Sequence, residues 1–168
     1  MNTIQLYDNS EKPLLTRQTS DEMAVPFYLS MDGADVSLSV SPFGIDMKDM
    51  LCGLFSAHGT ITFEKPLQPT DGIFLCCDLC AVQSRLPNDL QLPILRQLHV
   101  PRQHSNISNP KALEIDQEFQ NVLYLNVEPS VTRNIRLYLR DREGKPLSVQ
   151  HCYLDCTLLT FPRRYGSR

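Results

Sequence analysis

The stretch from Asn134 to Phe161 limits this chain more than any other. It opens with Ile135, Leu137 and Leu139 alternating with Arg136, Tyr138 and Arg140. Successive side chains of a strand point to opposite faces, so this alternation suits a strand with one face in a core and the other in water. The run stops at Asp141-Arg142-Glu143-Gly144-Lys145-Pro146, turn chemistry that a strand does not continue through. A second extended run covers Cys152 to Phe161, with Leu154, Cys156 and Leu158 facing one way and Tyr153, Asp155, Thr157, Leu159 and Phe161 the other. Pro162-Arg163-Arg164 ends it. We expect two strands joined by one turn, a hairpin.

The same signals recur upstream. Val25 to Ser30 reads as a strand whose Pro26 suits a sheet edge, followed by a turn at Met31-Asp32-Gly33. Val36, Leu38 and Val40 alternate with Ser37 and Ser39 until Pro42 and Gly44 break the run. Further extended runs are Thr60 to Phe63, Ile73 to Val82, Leu92 to Val100, Lys111 to Ile115 and Val122 to Val127, with Pro101 to Asn109 as a polar loop. Only Asp46 to Phe55 reads as a helix. There Met47, Met50, Leu51 and Leu54 fall at i, i+3, i+4 and i+7, and Asp46 is placed as an N-cap. About eight short strands and at most one short helix favour an all-β antiparallel sandwich or jelly roll over any βαβ arrangement.

Size and charge narrow the function. A chain of 168 residues, 42% apolar and 21% charged, suits one folded domain with a real core. A formal net charge of -3 argues against an extended nucleic-acid surface, because duplex binding is driven by phosphate neutralisation. Basic residues do gather late, at Arg133, Arg136, Arg140, Arg142, Lys145, Arg163, Arg164 and Arg168. No charged-then-apolar leader stands at the N-terminus, so we expect neither secretion by that route nor a spanning helix.

Six cysteines (Cys52, Cys76, Cys77, Cys80, Cys152 and Cys156) admit three readings: a disulfide framework, a zinc site and buried free thiols. A zinc site would draw on Cys77, Cys80, His151, Cys152 and Cys156. If residues 73–82 are one strand, however, Cys77 and Cys80 face opposite ways. We expect buried thiols. Asp78, in the same apolar run, needs a partner if it is buried. The four histidines (His58, His99, His104 and His151) are scattered, and a pairing such as His151 with Cys80 has only composition behind it. No phosphate-binding glycine loop, nucleophile elbow or His-Glu-x-x-His helix occurs in the sequence. We therefore expect no catalytic residues, no cofactor, no metal and no small-molecule substrate. Tyr7, Tyr28, Phe43, Tyr138, Tyr153 and Phe161 include candidate interface anchors that the sequence does not separate from core.

Three stretches, in order, carry a family likeness. They are Ile73-Phe74-Leu75-Cys76-Cys77-Asp78-Leu79, the Leu92 to Val100 run, and Ile135-x-Leu137-x-Leu139-Arg140-Asp141-x-x-Gly144-x-Pro146 closing on Cys156-Thr157-Leu158-Leu159-Thr160-Phe161. Together they resemble the C-terminal region of proteins encoded by Polinton (Maverick) elements and adintovirus relatives, over residues 73–162, about half the chain. Leu147 follows Pro146 where those proteins carry phenylalanine. The resemblance implies a penton-like single jelly roll, a minor capsid subunit that forms pentamers at the five-fold vertices of an icosahedral virion beside a major capsid protein. The expected layout is a polar arm or short edge strand over 1–24, one jelly-roll domain over 25–162 and a basic tail over 163–168. Two rivals stand beside it: a non-catalytic β-sandwich that binds a protein partner through its loops, and a zinc- or thiol-dependent enzyme.

Overall fold

Strand periodicity runs through most of the chain, and no helix occurs among the described residues. The computed structural model describes residues 2–7, 13–19, 25–40, 45–67, 72–82, 84–86, 88–100, 111–128, 131–132 and 134–163. Its strands are β1 (Asn2–Tyr7), β2 (Pro13–Thr19), β3 (Val25–Asp32), β4 (Asp35–Val40), β5 (Ile45–Asp46), β6 (Met50–Phe63), β7 (Ile73–Cys77) and β8 (Ser84–Arg85). They continue with β9 (Gln91–Leu92), β10 (Ile94–Leu98), β11 (Ala112–Glu118), β12 (Leu125–Asn126), β13 (Val131–Thr132), β14 (Asn134–Arg140) and β15 (Val149–Pro162).

Two antiparallel sheets form a sandwich. One has six strands in the order β10-β7-β14-β4-β1-β2; the other runs β11-β6-β15-β3, with β12 added to β6. The eight long strands from β3 onward pair in a nested way. β3 lies beside β15, β4 beside β14, β6 beside β11 and β7 beside β10. The hairpin β1–β2 extends the six-stranded sheet through Leu6↔Val40 and Tyr7↔Ser39.

Inward rows from the two sheets build the core. Leu154 and Met31, fully buried, sit across from each other on β15 and β3, while Leu137 and Leu139 pair with Cys77 and Leu75 from β14 to β7. Removing such apolar side chains from water stabilises the sandwich by about 1.5–3 kcal/mol each. A smaller cluster lies on the opposite face of the six-stranded sheet. There Leu86 and Leu92, from the β8–β9 hairpin, cover Cys76 and Tyr138. Asn88 Nδ2 ties this hairpin down by donating to the Glu143 carbonyl at 2.9 Å.

Three expectations are corrected. Asp46 to Phe55 is not helical: it holds β5, a turn and the start of β6. The ladder between β15 and β6 slips between Thr157 and Leu158, which leaves Phe55 as the extra residue of a bulge. Met47 is buried in the turn, Met50 and Leu54 face the core from β6 and half-buried Leu51 does not, so the apparent helical stripe spans a turn and both faces of a strand. The expected hairpin of β14 and β15 does not form either. A tight turn closes at Asp141, whose N–H donates to the Lys145 carbonyl at 3.0 Å, but β14 and β15 then enter different sheets. Local turn chemistry reverses the chain without choosing its neighbour. Finally, the run from Ile73 stops at Cys77, and Asp78-Leu79 turns the chain toward the other sheet. The polar loop Pro101 to Asn109 and residues 164–168 of the basic tail lie outside the described residues.

Candidate functional site

The turn after β7 gathers the residues that had looked most chemical. Cys80 donates its N–H to the Cys77 carbonyl at 3.2 Å, and Cys80 then bridges Val127. Flanking it, Ala81 donates to the Asn126 carbonyl at 2.8 Å and Glu128 to the Leu79 carbonyl at 2.9 Å. Residues 79–81 thereby join the β12 side of the five-stranded sheet, so the chain changes sheets within four residues. This turn also corrects the inference that Cys77 and Cys80 face apart. Their thiols hydrogen-bond to each other, and that of Cys80 also reaches Cys52.

All six cysteines are buried and none is in a disulfide. The hydrogen bond to Cys80, then burial, holds the Cys77 thiol well above the usual range, and the bond to Cys52 does the same for Cys80. Desolvation pushes Cys76 up to about 12 and raises Cys156. These groups are protonated near neutral pH and so are poor nucleophiles. His151 is exposed while its neighbour Cys152 is buried, so the proposed zinc donors split between solvent and core. No group of three or more His, Cys, Asp or Glu among the described residues is placed to hold a metal ion.

On the outer face of the six-stranded sheet, Arg136 and Arg140 flank Tyr138, their guanidinium carbons 5.1 and 4.4 Å from the ring centre. Arg136 Nε donates to Asp35 at 2.8 Å and its Nη2 completes a bidentate pair. That pair lowers the Asp35 pKa and raises that of Arg136. Asp78 accepts the Arg136 N–H at 2.8 Å, while desolvation raises its pKa. Asp78 is therefore a partnered structural acid that fills a missing ladder acceptor. Of the late basic residues described, Arg136 is paired with Asp35 and Lys145 with Glu143.

The outer face of the five-stranded sheet differs along its length. His58 stands in register between Asp116 and Asp155, and its Nδ1 lies 2.6 Å from the Asp116 carboxylate. Toward the start of β6 the surface turns apolar. The segment 119–124 crosses the strand there, held by Phe119 N–H donating to the Phe55 carbonyl at 2.9 Å. The crossing needs Gly53, because a Cβ at that position would sit 2.5 Å from Val122 Cγ1 and 2.8 Å from the Leu123 carbonyl. Phe55 (39% exposed) and Leu123 (54%) stand open beside half-buried Leu51, Val122 and Leu159. Arg96 stacks on Phe119 at 4.3 Å and donates to the Asn121 carbonyl at 3.2 Å, fastening the segment to the other sheet. This apolar ledge is the candidate interaction surface.

Of the candidate anchors, Tyr153 is 60% exposed on the outer face and Tyr138 is core. Phe43, His104 and the side chains of Tyr7, Tyr28 and Phe161 lie outside the described residues. Phe55 and Leu123 were missed because each sits where strand alternation fails, at a bulge and in a crossing loop. Comparison with protein-family models, with curated proteins and with solved structures yields no match for this chain.

Proposed function

We propose that the chain is a structural capsid protein, a penton-like subunit whose single jelly roll assembles into pentamers. The observation that carries this reading is the nested pairing of the eight long strands. First meets last (β3–β15), second meets seventh (β4–β14), third meets sixth (β6–β11) and fourth meets fifth (β7–β10). A jelly roll, a long antiparallel hairpin rolled over itself into two sheets, would give this order, which supports the reading.

The family resemblance gains physical support from the same topology. Its three stretches supply β7, β10 and β14, which are adjacent in one sheet, and β15 in the other. Ring closure requires a heterologous contact, in which one patch meets a different patch on the next copy. The ledge around Phe55 and Leu123 offers an apolar half, and exposed Val82 and Leu90 lie elsewhere on the surface.

Sedimentation velocity across the micromolar range, with negative-stain imaging, tests this directly. Five-copy particles seen as rings are the expected result. A strictly monomeric chain would overturn it and favour a sandwich that binds a different protein through the same ledge.

A further inference from the structure

The Cys77–Cys80 turn is the most chemically loaded feature that the capsid reading leaves unused. It sits where the chain passes from one sheet to the other, and the Cys80 N–H bond to the Cys77 carbonyl at 3.2 Å closes a four-residue turn. Such a turn brings its first and last Cα atoms within about 7 Å. A disulfide spans roughly 4.4–6.8 Å between Cα atoms, so the backbone already has the required form. Both side chains point into the core, at 0% and 2% exposure, and their thiols touch. Cys52, on β6, also reaches the Cys80 thiol and is the competing partner, whereas the other three lie apart. Cys76 belongs to the cluster on the opposite face of its sheet, and Cys152 and Cys156 lie on β15.

We propose that Cys77 and Cys80 form a redox-responsive staple, a disulfide that closes across the sheet-switching turn when the thiols meet a small disulfide of the glutathione class. The step is a two-stage exchange. One thiolate attacks the small disulfide, forming a mixed disulfide and releasing one small thiol. The other cysteine then attacks the protein-bound sulfur, closing the Cys77–Cys80 bond and releasing the second small thiol. Two protein thiols are oxidised, one small disulfide is reduced, and the two protons leave on the released thiols. Because the pair is buried and protonated, exchange proceeds while the corner is open, during folding or local unfolding. Closure then records the redox state at folding. This does not depend on the oligomeric role of the chain.

The test is refolding of the full chain from urea in a buffer of reduced and oxidised glutathione. Remaining thiols are trapped with N-ethylmaleimide, and the bond is located by fragment-ion sequencing. The expected result is a Cys77–Cys80 disulfide in most molecules with the other four cysteines alkylated. Cys52→Ala should retain the bond and Cys80→Ala should abolish it. Six alkylated cysteines in the refolded wild-type chain, or bonds scattered over other pairs, would overturn the proposal. The wild-type map decides the matter even if a variant fails to fold.

Discussion

Asp35 and Arg136 meet on the outer face of β4 and β14, Arg136 Nε at 2.8 Å from the carboxylate, although 101 residues separate them in sequence. Both side chains remain over 40% exposed, so solvent screening keeps the pair small despite its bidentate form. A double-mutant cycle with Asp35→Asn and Arg136→Gln should give a coupling of about 0.5–1 kcal/mol at neutral pH. The sign with pH follows from the lowered Asp35 pKa. The contribution is complete above the ordinary carboxylate value and disappears as pH falls through the lower folded value. Asp78 runs the other way: desolvation raises its folded pKa, so its ionisation costs stability that is recovered at low pH. Asp78→Asn keeps an acceptor for the Arg136 N–H and should flatten that opposing slope in urea titrations between about pH 3 and pH 7. Alternation alone places Arg136 and Tyr138 on the face opposite Ile135, Leu137 and Leu139, where the structure has them. It gave no sign of the Asp35 pairing or of the β8–β9 hairpin that buries Tyr138, because both depend on chain segments far away.

Among the strands, β6 shows most clearly where sequence patterning runs out. Its last four residues obey period two, with Ile61 and Phe63 buried between more open Thr60 and Thr62, and Thr60 to Phe63 is legible for that reason. Its first half was hidden because Met47 from the preceding turn and Met50, Leu51 and Leu54 from both faces of the strand together mimic a helical spacing. The nested pairing was equally hidden, since β14 and β15 look like a hairpin until each finds its partners in a different sheet. Gly59 is the point where β6 and β15 approach most demandingly. Its φ is +148°, and a Cβ there would come within 2.0 Å of the Tyr153 carbonyl oxygen. Gly59→Ala must therefore strain the backbone and push apart the two central strands of the sheet. We expect a loss of about 3 kcal/mol or more, measured as a lower urea midpoint. If the variant unfolds at the wild-type midpoint, the ladder is not under this constraint.

For the molecule as a whole, the two sheets do different work on their outer faces. The six-stranded sheet is roofed by the β8–β9 hairpin, whereas the five-stranded sheet presents a charged row at His58 and an apolar ledge at Phe55 and Leu123. A contact centred on the ledge draws on apolar burial, so association should survive salt, which screens exposed charges over about 8–10 Å. Leu123→Asp puts a charge where a neighbour would exclude water, yet the side chain is 54% exposed in the single chain and needs no repacking there. If the chain assembles as proposed, the expected outcome is a protein with an unchanged urea midpoint that sediments as a monomer at concentrations where the wild type forms the proposed five-copy particle. Phe55→Ser should act in the same direction, with part of its effect arising from the half-buried side of the ring. Glu114→Gln on the polar part of the same sheet should leave assembly intact, because Glu114 is exposed beyond the charged row and away from the ledge. If Leu123→Asp still forms rings, the copies meet through other edges of the sandwich and the ledge serves a different contact.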